Sequence, residues 1–192
     1  MAAFKFHHSQ HQKLSAPERR KSLPWEGVLE VLGPLDGQVI VDIGCGPGYF
    51  ALPLARAAGP GGRLYAVDTS QEMLDLLKLE IADSKLANVQ LVLSSESSIP
   101  LPDDCCDLIF AAAVYHEFED RPAMLVEMLR LARRDARHLV IDWNRRSGES
   151  GPPLEHRVAE ETVIAEYTGA GLSLVKRFEP GADFYGLLFG AQ

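Results

Sequence analysis

The stretch that decides the fold is VIVDIGCGPGYF, residues 39–50. It places an apolar, β-branched run, Gln38–Ile43, in front of three glycines at positions 44, 46 and 48. A helical pattern, Tyr49–Ala58, follows and ends at further glycines. This order predicts a buried strand, a tight loop and a helix. Because glycine tolerates positive φ angles and lets a ligand approach the backbone closely, the context favours a cofactor loop over an empty turn.

The spacing of these glycines separates two classes of cofactor. It follows G-x-G-x-G, whereas the dinucleotide pattern G-x-G-x-x-G would need a third glycine where the chain has Tyr49. This disfavours a nicotinamide oxidoreductase. Asp42 stands near the end of the first strand, and Asp68 ends the next predicted strand, 20 residues beyond Gly48. An acidic side chain in the second position suits the two hydroxyl donors of a ribose.

Strand and helix patterns alternate outward from this stretch. The further predicted strands are Arg63–Val67, Val89–Leu93, Leu108–Ala113 and His138–Trp143. The further predicted helices are Pro24–Leu32, a helix capped at Thr69 that runs to Ser84, Arg121–Arg134 and Ala159–Gly169. Alternation of this kind predicts βαβ units and a parallel sheet covered on both faces. Two last strands, Leu172–Phe178 and Phe184–Phe189, are joined by Glu179–Asp183 and predict an antiparallel hairpin.

Length and composition limit the class of protein. The chain has 192 residues, of which 46% are hydrophobic and 24% charged, as in a single globular domain. The longest apolar run, Leu108–Tyr115, is too short to span a membrane, and no secretory signal is visible. Three cysteines without CxxC spacing argue against a disulfide framework or a zinc site and favour a cytoplasmic location.

Charge is distributed unevenly along the chain. The net charge of −8 disfavours general nucleic-acid binding, because an acidic surface repels phosphates. Residues 1–22 nevertheless carry five basic side chains against Glu18, and we expect residues 1–23 to form a polar basic N-terminal arm. The histidines at 7, 8 and 11 lack a matching set of carboxylates or cysteines, so no metal site is predicted.

Four motifs resemble those of one enzyme family. The stretch from Val41 to Phe50 resembles the first motif of the class I S-adenosylmethionine-dependent methyltransferases. The segment 65–70, YAVDTS, with Met73 after it, resembles the second motif. Residues 91–107 and 108–120 resemble the third-strand and fourth-strand regions of the small-molecule branch, which includes the ubiquinone/menaquinone and arsenite methyltransferases. The likeness covers about residues 24–190.

The resemblance implies a fold, a cofactor and a set of cofactor-binding residues. The fold would be α/β and Rossmann-like: a doubly wound, seven-stranded, mostly parallel sheet with an antiparallel C-terminal hairpin, formed by a methyltransferase domain at 24–192. The cofactor would be S-adenosylmethionine. The residues implied near its methionine part are Gly44, Cys45, Gly46, Gly48 and Asp42, with Asp68 on the ribose, Thr69 and Met73 beside the adenine, and Ala112 beneath the cofactor. Ser95 stands where the family often has an Asp that contacts the adenine, so either Ser95 or Glu96 would supply that contact.

The candidates for catalysis follow the fourth and fifth strands. Methyl transfer is an in-line displacement that depends mainly on alignment, and a base is needed only when the acceptor must lose a proton early. His116 could be that base or could cap its loop. Asp142 could orient a substrate or hold the loop of residues 144–146.

The candidates for substrate binding are Tyr49, Tyr115, Trp143, His156, Arg157 and Tyr185. The aromatic side chains could equally belong to the core, and His156 and Arg157 could cap the last helix.

The function predicted from the sequence is methyl transfer to a small-molecule acceptor. The chain lacks the amino-methylating DNA-enzyme motif after the fourth strand, the additional cysteines of arsenite methyltransferases and the basic face of most RNA enzymes. We expect a monomer or homodimer. Because no indispensable catalytic residue is visible, a non-catalytic S-adenosylmethionine-binding regulatory protein remains the alternative.

Overall fold

The computed structural model describes residues 17–146 and 151–191 of the chain. The described helices are α1 (Pro17–Ser22), α2 (Trp25–Leu32), α3 (Ala51–Ala58), α4 (Gln71–Ser84), α5 (Arg121–Leu131) and α6 (Glu160–Gly169). The strands are β1 (Val39–Ile43), β2 (Arg63–Asp68), β3 (Val89–Leu93), β4 (Cys106–Ala112), β5 (Ala132–Trp143), β6 (Leu172–Gly181) and β7 (Phe184–Ala191). Short 3-10 helices occupy Tyr115–Glu117 and Leu154–His156.

All seven strands form one sheet in the order β3-β2-β1-β4-β5-β7-β6. Strands β1 to β5 pair in parallel, and β7 is antiparallel to both β5 and β6. The predicted fold class, a doubly wound and mostly parallel sheet with a reversed hairpin, is therefore confirmed. From β1 the next strands are added toward β3 on one side, and from β4 they are added toward the other side, so the strand order switches between β1 and β4. Sheets of this kind open a crevice at their carboxyl edge at such a switch point.

Two hydrophobic cores cover the faces of the sheet. Alternate residues of β1 divide between them, because successive strand residues point to opposite faces: Val41 packs on one side and Ile40 on the other. Helices α5 and α6 cover the first face, through residues such as Met128 and Tyr167. Helices α2, α3 and α4 cover the second, where Leu54 is fully buried. This burial on both faces fixes the carboxyl ends of β1, β2, β4 and β5 on one edge.

Several predicted boundaries were wrong, for identifiable reasons. The fifth helix ends at Leu131 rather than Arg134, because Leu131 accepts the Cys105 N–H and Ala132 already pairs with Cys106 in the sheet. The third helix begins at Ala51 rather than Tyr49, since Tyr49 still belongs to the turn. Ser70, and not Thr69, caps α4, accepting the Met73 N–H at 3.3 Å. The final hairpin is tighter than predicted, because β6 continues to Gly181.

The N-terminal part of the described chain packs against the domain. Residues 17–22 form α1, and Leu23 is fully buried in the core on the α2 side of the sheet. The predicted division between an arm at 1–23 and a domain at 24–192 stays a prediction, and residues 1–16 with their histidines lie outside the described residues. No helix within 17–146 and 151–191 has the length and apolar character needed to cross a bilayer.

Candidate functional site

The glycine loop, residues 44–48, leaves the carboxyl end of β1. Gly44, Gly46 and Gly48 have φ angles of 68°, 52° and 103°, which L side chains rarely adopt. A Cβ on Gly44 would overlap Val114 Cγ2, and one on Gly48 would overlap Leu77 Cδ1. The first two loop residues are also fixed, because the N–H groups of Gly44 and Cys45 both donate to the Val67 carbonyl, at 2.8 and 3.0 Å. The loop therefore requires glycine for its conformation and for its close approach to the neighbouring β4 loop.

Asp68 ties the glycine loop to the end of β2. Its Oδ2 accepts the Gly46 N–H at 2.9 Å, and its Oδ1 accepts the Ser70 N–H at 2.9 Å. Burial raises the pKa of Asp68, and the backbone donors of Ser70 and Gly46 partly offset that rise. Each carboxylate oxygen has a further lone pair beyond the bond it already accepts. Asp68 can therefore accept two more donors, such as those of a diol, without giving up the loop.

Asp42 is a buried carboxylate with an unsatisfied atom. The residue is 2% exposed, and its Oδ2 has no hydrogen-bond partner among the described residues. Burial raises its pKa well above the usual range, and the nearby charge of Asp68 adds to the effect. A buried acceptor left unpaired is costly, so a cationic donor from a bound ligand would satisfy it. Asp42, at the end of β1 just before the loop, thus offers an open acceptor for a ligand that carries positive charge.

The remaining cofactor candidates surround this loop in the order that the sheet imposes. Cys45 within the loop, Met73 in α4 and Ala112 at the end of β4 are buried. Thr69, Ser95 and Glu96 are exposed in the loops after β2 and β3. Those two loops are neighbours, because the Ser94 N–H donates to the Asp68 carbonyl at 3.0 Å.

Ser95 is held mainly by its own loop. Its N–H and its hydroxyl both donate to the Ser98 carbonyl, at 3.0 and 3.3 Å. The hydroxyl oxygen keeps its lone pairs, so Ser95 retains some capacity as an acceptor in place of the usual Asp.

His116 and Asp142 form a buried pair between the β4 loop and the end of β5. Asp142 Oδ1 lies 2.7 Å from His116 Nδ1, and Asp142 Oδ2 accepts the His116 backbone N–H at 2.8 Å. The Trp143 N–H donates to the same Oδ1 at 2.8 Å. Asp142 therefore holds the imidazole with Nδ1–H facing the carboxylate and leaves Nε2 for other contacts, the nearest described acid being Glu117 at 3.7 Å.

Two opposing effects set the acidity of His116. Burial lowers the pKa of the imidazole, but the charge and hydrogen bond of Asp142 act in the opposite direction, with a smaller contribution from Glu117. The net result is a pKa above the ordinary value. An imidazole with one nitrogen fixed by a carboxylate and the other available can accept a proton through Nε2.

The pair lies close to the glycine loop through Val114. This side chain precedes His116 by two residues and fills the space opposite Gly44. The β4 loop and the glycine loop therefore share one packed contact at the carboxyl edge.

Among the substrate-binding candidates, the tyrosines already use their hydroxyls on the protein. Tyr49 donates to the Leu23 carbonyl at 2.6 Å, Tyr115 to Glu166 at 2.7 Å, and Tyr185 to the Val158 carbonyl at 3.2 Å. Tyr115 is completely buried. The rings of these three side chains can shape a pocket, but their hydroxyl groups already donate hydrogen bonds to other residues of the protein.

Arg157 holds together the loop that follows β5. The guanidinium of this buried residue donates to the carbonyls of Pro152, Asn144 and Arg146 at 2.9 to 3.1 Å. It also lies over the half-buried Trp143 ring, with its central carbon 5.4 Å from the ring centroid. His156 is half-buried at the end of the second 3-10 helix. Trp143, His156 and Arg157 are therefore brought together, whereas Tyr49 lies at the other end of the edge, beside the glycine loop.

A separate cleft of about 200 Å³ lies beyond β5. Tyr185 borders it, together with Arg146 and Arg177, which form ion pairs with Glu179 and Glu160. No residue of the glycine loop lines this cleft. Within the described residues there is also no group of three or more histidines, cysteines or acids arranged to hold a metal ion.

Two features of the site had no clear signal in the sequence. One is Val114, whose contact with Gly44 depends on two strands that are adjacent only in the sheet. The other is Arg19 in α1, whose guanidinium lies over the ring of Tyr49, beside the glycine loop. The basic character of residues 1–22 pointed to this segment but did not indicate which side chain turns inward.

The chain is similar to known proteins over most of its length. The family described as "Methyltransferase domain" matches residues 41–140. A demethylmenaquinone methyltransferase from Geobacillus sp. (strain WCH70) is 30% identical over 124 residues, which are 64% of this chain and 53% of that protein. The nocamycin O-methyltransferase of Saccharothrix syringae is 30% identical over 110 residues, 57% of this chain and 39% of that protein. The chain thus spans about half the length or less of these curated relatives.

A solved structure matches far more completely. The crystal structure of a SAM-dependent methyltransferase from Aquifex aeolicus is 32% identical, covers 96% of this chain and is itself covered to 98%, with a TM-score of 0.91.

Proposed function

Because this chain belongs to the methyltransferase-domain family of S-adenosylmethionine-dependent enzymes, we propose that it transfers a methyl group from S-adenosylmethionine to a small organic acceptor. The observation that carries the proposal is the glycine loop set between two carboxylates, one of which has an unpaired buried oxygen. That combination matches a ligand with a ribose diol and a cationic end. The named relatives are all methyltransferases, so nothing in them favours the non-catalytic alternative.

The cofactor supplies an electrophilic methyl group on a sulfonium, and the residues of this chain hold it. We assign the methionine part to the glycine loop, through Gly44, Cys45, Gly46 and Gly48, with Asp42 accepting from the α-ammonium group. Asp68 would accept the ribose hydroxyls through its remaining lone pairs. Ala112 would pack below the cofactor, and Thr69, Met73, Ser95 and Glu96 would border the adenine. The burial of Asp42 and the bonds of Asp68 support this assignment.

We assign His116 as the general base and Asp142 as the residue that positions it. Asp142 accepts three N–H groups, two of them from His116, so its carboxylate is already engaged and is less suited to meet a substrate directly. Held in this way, the neutral ring presents the Nε2 lone pair. His116 would take a proton from the acceptor as its nucleophilic atom attacks the methyl group, and alignment would supply most of the remaining acceleration.

We propose a hydroxylated ring, of the quinol or phenol type, as the acceptor. A histidine base whose pKa is raised by a neighbouring carboxylate is useful for an acceptor whose proton is weakly acidic, and such a proton is found on a phenolic hydroxyl. Loss of that proton activates either the oxygen or the adjacent ring carbon. The names of two relatives, which refer to demethylmenaquinone and to O-methylation, support this class. Trp143 and His156 would face the acceptor, while Tyr49, Tyr115, Arg157 and Tyr185 would shape the site around it.

The location and assembly of the protein are also proposals. Three free cysteines, two of them buried, support a cytoplasmic location. The net charge of −8 supports a small-molecule acceptor over nucleic acid. Whether the protein is a monomer or a homodimer stays open to a sedimentation measurement.

Calorimetry and labelling test the function in two stages. Titration with S-adenosylhomocysteine should show one site, and Asp68→Asn should weaken it by about tenfold or more, because the ribose loses a charged acceptor. The protein is then incubated with methyl-labelled cofactor and a panel of quinols, phenols and amines. Binding without label transfer to any acceptor would count against catalysis, and a folded protein that does not bind S-adenosylhomocysteine would overturn the whole proposal.

A further inference from the structure

Arg19 in α1 is a cation in an enclosed position, and the described side chains supply no anion to match it. The residue is half-buried as a whole, but its Nε atom is enclosed and has no hydrogen-bond partner among the described residues. Burial lowers the pKa of the guanidinium, and Tyr49 only partly counteracts this. No ion pair joins Arg19 to a carboxylate among the side chains that the structure describes, at 19–146 and 151–191. Enclosing an unpaired cation in this way costs free energy unless a ligand completes the site.

The position of Arg19 is fixed by its own contact with Tyr49 and by contacts at the C-terminal end of α1. Its central guanidinium carbon lies 5.1 Å from the centroid of the Tyr49 ring, directly after Gly48. Tyr49 in turn donates to the Leu23 carbonyl at 2.6 Å. On the other side, the Ser22 carbonyl oxygen occupies the space that a Cβ on Gly181 would need. The segment 19–23 therefore contacts both Tyr49, beside the glycine loop, and Gly181 at the turn between β6 and β7.

The neighbouring residue, Arg20, differs from Arg19 because it has a partner. Arg20 forms an ion pair with Glu26 and lies over the Trp25 ring, with its central carbon 5.2 Å from the centroid. Its side chain is 61% exposed. The two adjacent arginines thus differ. Arg20 is exposed and paired with Glu26, whereas Arg19 is partly enclosed and its Nε has no partner among the described residues.

Asp42 Oδ2 and Arg19 Nε, on side chains of opposite charge, are an acceptor and a donor that both lack a hydrogen-bond partner among the described residues. The amino-acid end of S-adenosylmethionine carries an ammonium and a carboxylate on the same carbon. We propose that Arg19 binds the α-carboxylate of the cofactor and that α1 thereby forms part of the cofactor site, an inference that rests on the function proposed above. A guanidinium suits this role because its planar array of N–H donors matches both carboxylate oxygens.

The experiment compares two ligands that differ at the amino-acid end. S-adenosylhomocysteine carries the carboxylate and the ammonium, whereas 5′-methylthioadenosine lacks both and retains the adenosine and the sulfur. Calorimetry is done with the wild-type chain, Arg19→Ala, Arg19→Lys and the control Arg20→Ala. We expect Arg19→Ala to lower the affinity for S-adenosylhomocysteine by about 10- to 100-fold and to change the affinity for 5′-methylthioadenosine by no more than about twofold. Arg19→Lys should lie between Arg19→Ala and the wild type, and Arg20→Ala should match the wild type.

Each other result would contradict the proposal in a recognisable way. An unchanged affinity of Arg19→Ala for S-adenosylhomocysteine would mean that the guanidinium serves another anion, such as an acidic acceptor. Equal losses of affinity for both ligands would indicate that Arg19 supports the glycine loop and does not bind the carboxylate. Failure of the wild type to bind S-adenosylhomocysteine would instead overturn the cofactor assignment itself. Binding of 5′-methylthioadenosine by the variant also verifies that the variant is folded.

Discussion

Asp142 accepts two hydrogen bonds from one residue, the backbone N–H of His116 at 2.8 Å and the His116 ring at 2.7 Å. This double attachment fixes both the position of the 3-10 helix Tyr115–Glu117 and the tautomer of the imidazole.

Asp142→Asn is expected to move the pH dependence of methyl transfer. Because the Asp142 carboxylate is the main group that raises the pKa of His116, its neutralisation should lower that pKa. A base acts only when it is unprotonated, so the rising limb of kcat against pH should shift to lower pH. The plateau rate should also fall, because an amide no longer selects the Nδ1–H tautomer, and His116→Gln should lower it by about 100-fold or more.

Glu117→Gln is the graded control for this experiment. Glu117 lies 3.7 Å from Nε2 and has a smaller effect on the pKa of His116, so its variant should shift the limb less, in the same direction. The measurement is kcat at saturating cofactor across pH, together with NMR titration of the ring. A limb that stays in place in Asp142→Asn would exclude His116 as the base.

His138 should make the protein lose stability in mild acid. Burial lowers the pKa of this β5 residue to about 4, and its Nδ1 has no partner among the described residues. Between about pH 6.5 and 4 the unfolded chain binds a proton that the folded chain refuses, so stability decreases as pH falls, by up to about 3 kcal/mol. His138→Leu should remove this part of the pH dependence. Urea unfolding of both proteins at pH 7 and pH 5 measures it, and parallel changes in the two would contradict the prediction.

Gly44→Ala is expected to destabilise the fold and to weaken binding of the cofactor. A methyl group there would overlap Val114 on a backbone with a φ of 68°. Strain and overlap together should cost about 2 to 4 kcal/mol. Gly27→Ala is the matched control, because this glycine lies inside α2 with nothing within 4 Å of the added carbon, and the change should stabilise by about 0.5 to 1 kcal/mol. Chemical unfolding of both variants gives the comparison, and similar effects would show that the glycine loop is more adaptable than described.

Asp42→Asn should stabilise the ligand-free protein and lower its affinity for S-adenosylhomocysteine. The pKa of this buried acid is raised by burial and by Asp68. The folded chain therefore binds a proton more readily than the unfolded chain, and stability is lost as pH rises from about 4 through the raised pKa. A neutral amide avoids this loss at pH 7, so the melting temperature should rise, while the affinity for S-adenosylhomocysteine should fall because the ammonium loses its acceptor. A variant with lower stability and unchanged affinity would remove Asp42 from the site.

Most of the fold could be predicted because its signals are local. The run Gln38–Ile43, the three glycines and Asp68 each follow from a few adjacent residues, and the structure places them on one edge as expected. The end of α5 could not be predicted in this way. The helical pattern continues to Arg134, and only the pairing of Ala132 with Cys106, 26 residues earlier, converts that part into strand.

For the candidate site too, local sequence predicts the positions of residues but not the contacts between residues that are distant in the chain. The positions of His116 and Asp142 at the carboxyl edge could be predicted, but not their mutual contact, which depends on the distance between two adjacent strands. The orientation of Arg19 depends on Tyr49 and on the turn at Gly181, which are distant in the chain. A basic segment alone cannot distinguish an outward arginine such as Arg20 from an inward one.

The strand order also has a consequence for biosynthesis. Strand β7 follows β6 in the chain but lies between β5 and β6 in the sheet. As the nascent chain leaves the ribosome, β6 has no neighbour to pair with until β7 emerges. The glycine loop, Asp68, His116 and Asp142 belong to β1 to β5 and their loops, so the part of the sheet that carries the candidate site can assemble first. Ribosome-bound chains that stop shortly after β5 would then be the earliest forms in which this site could bind a nucleoside.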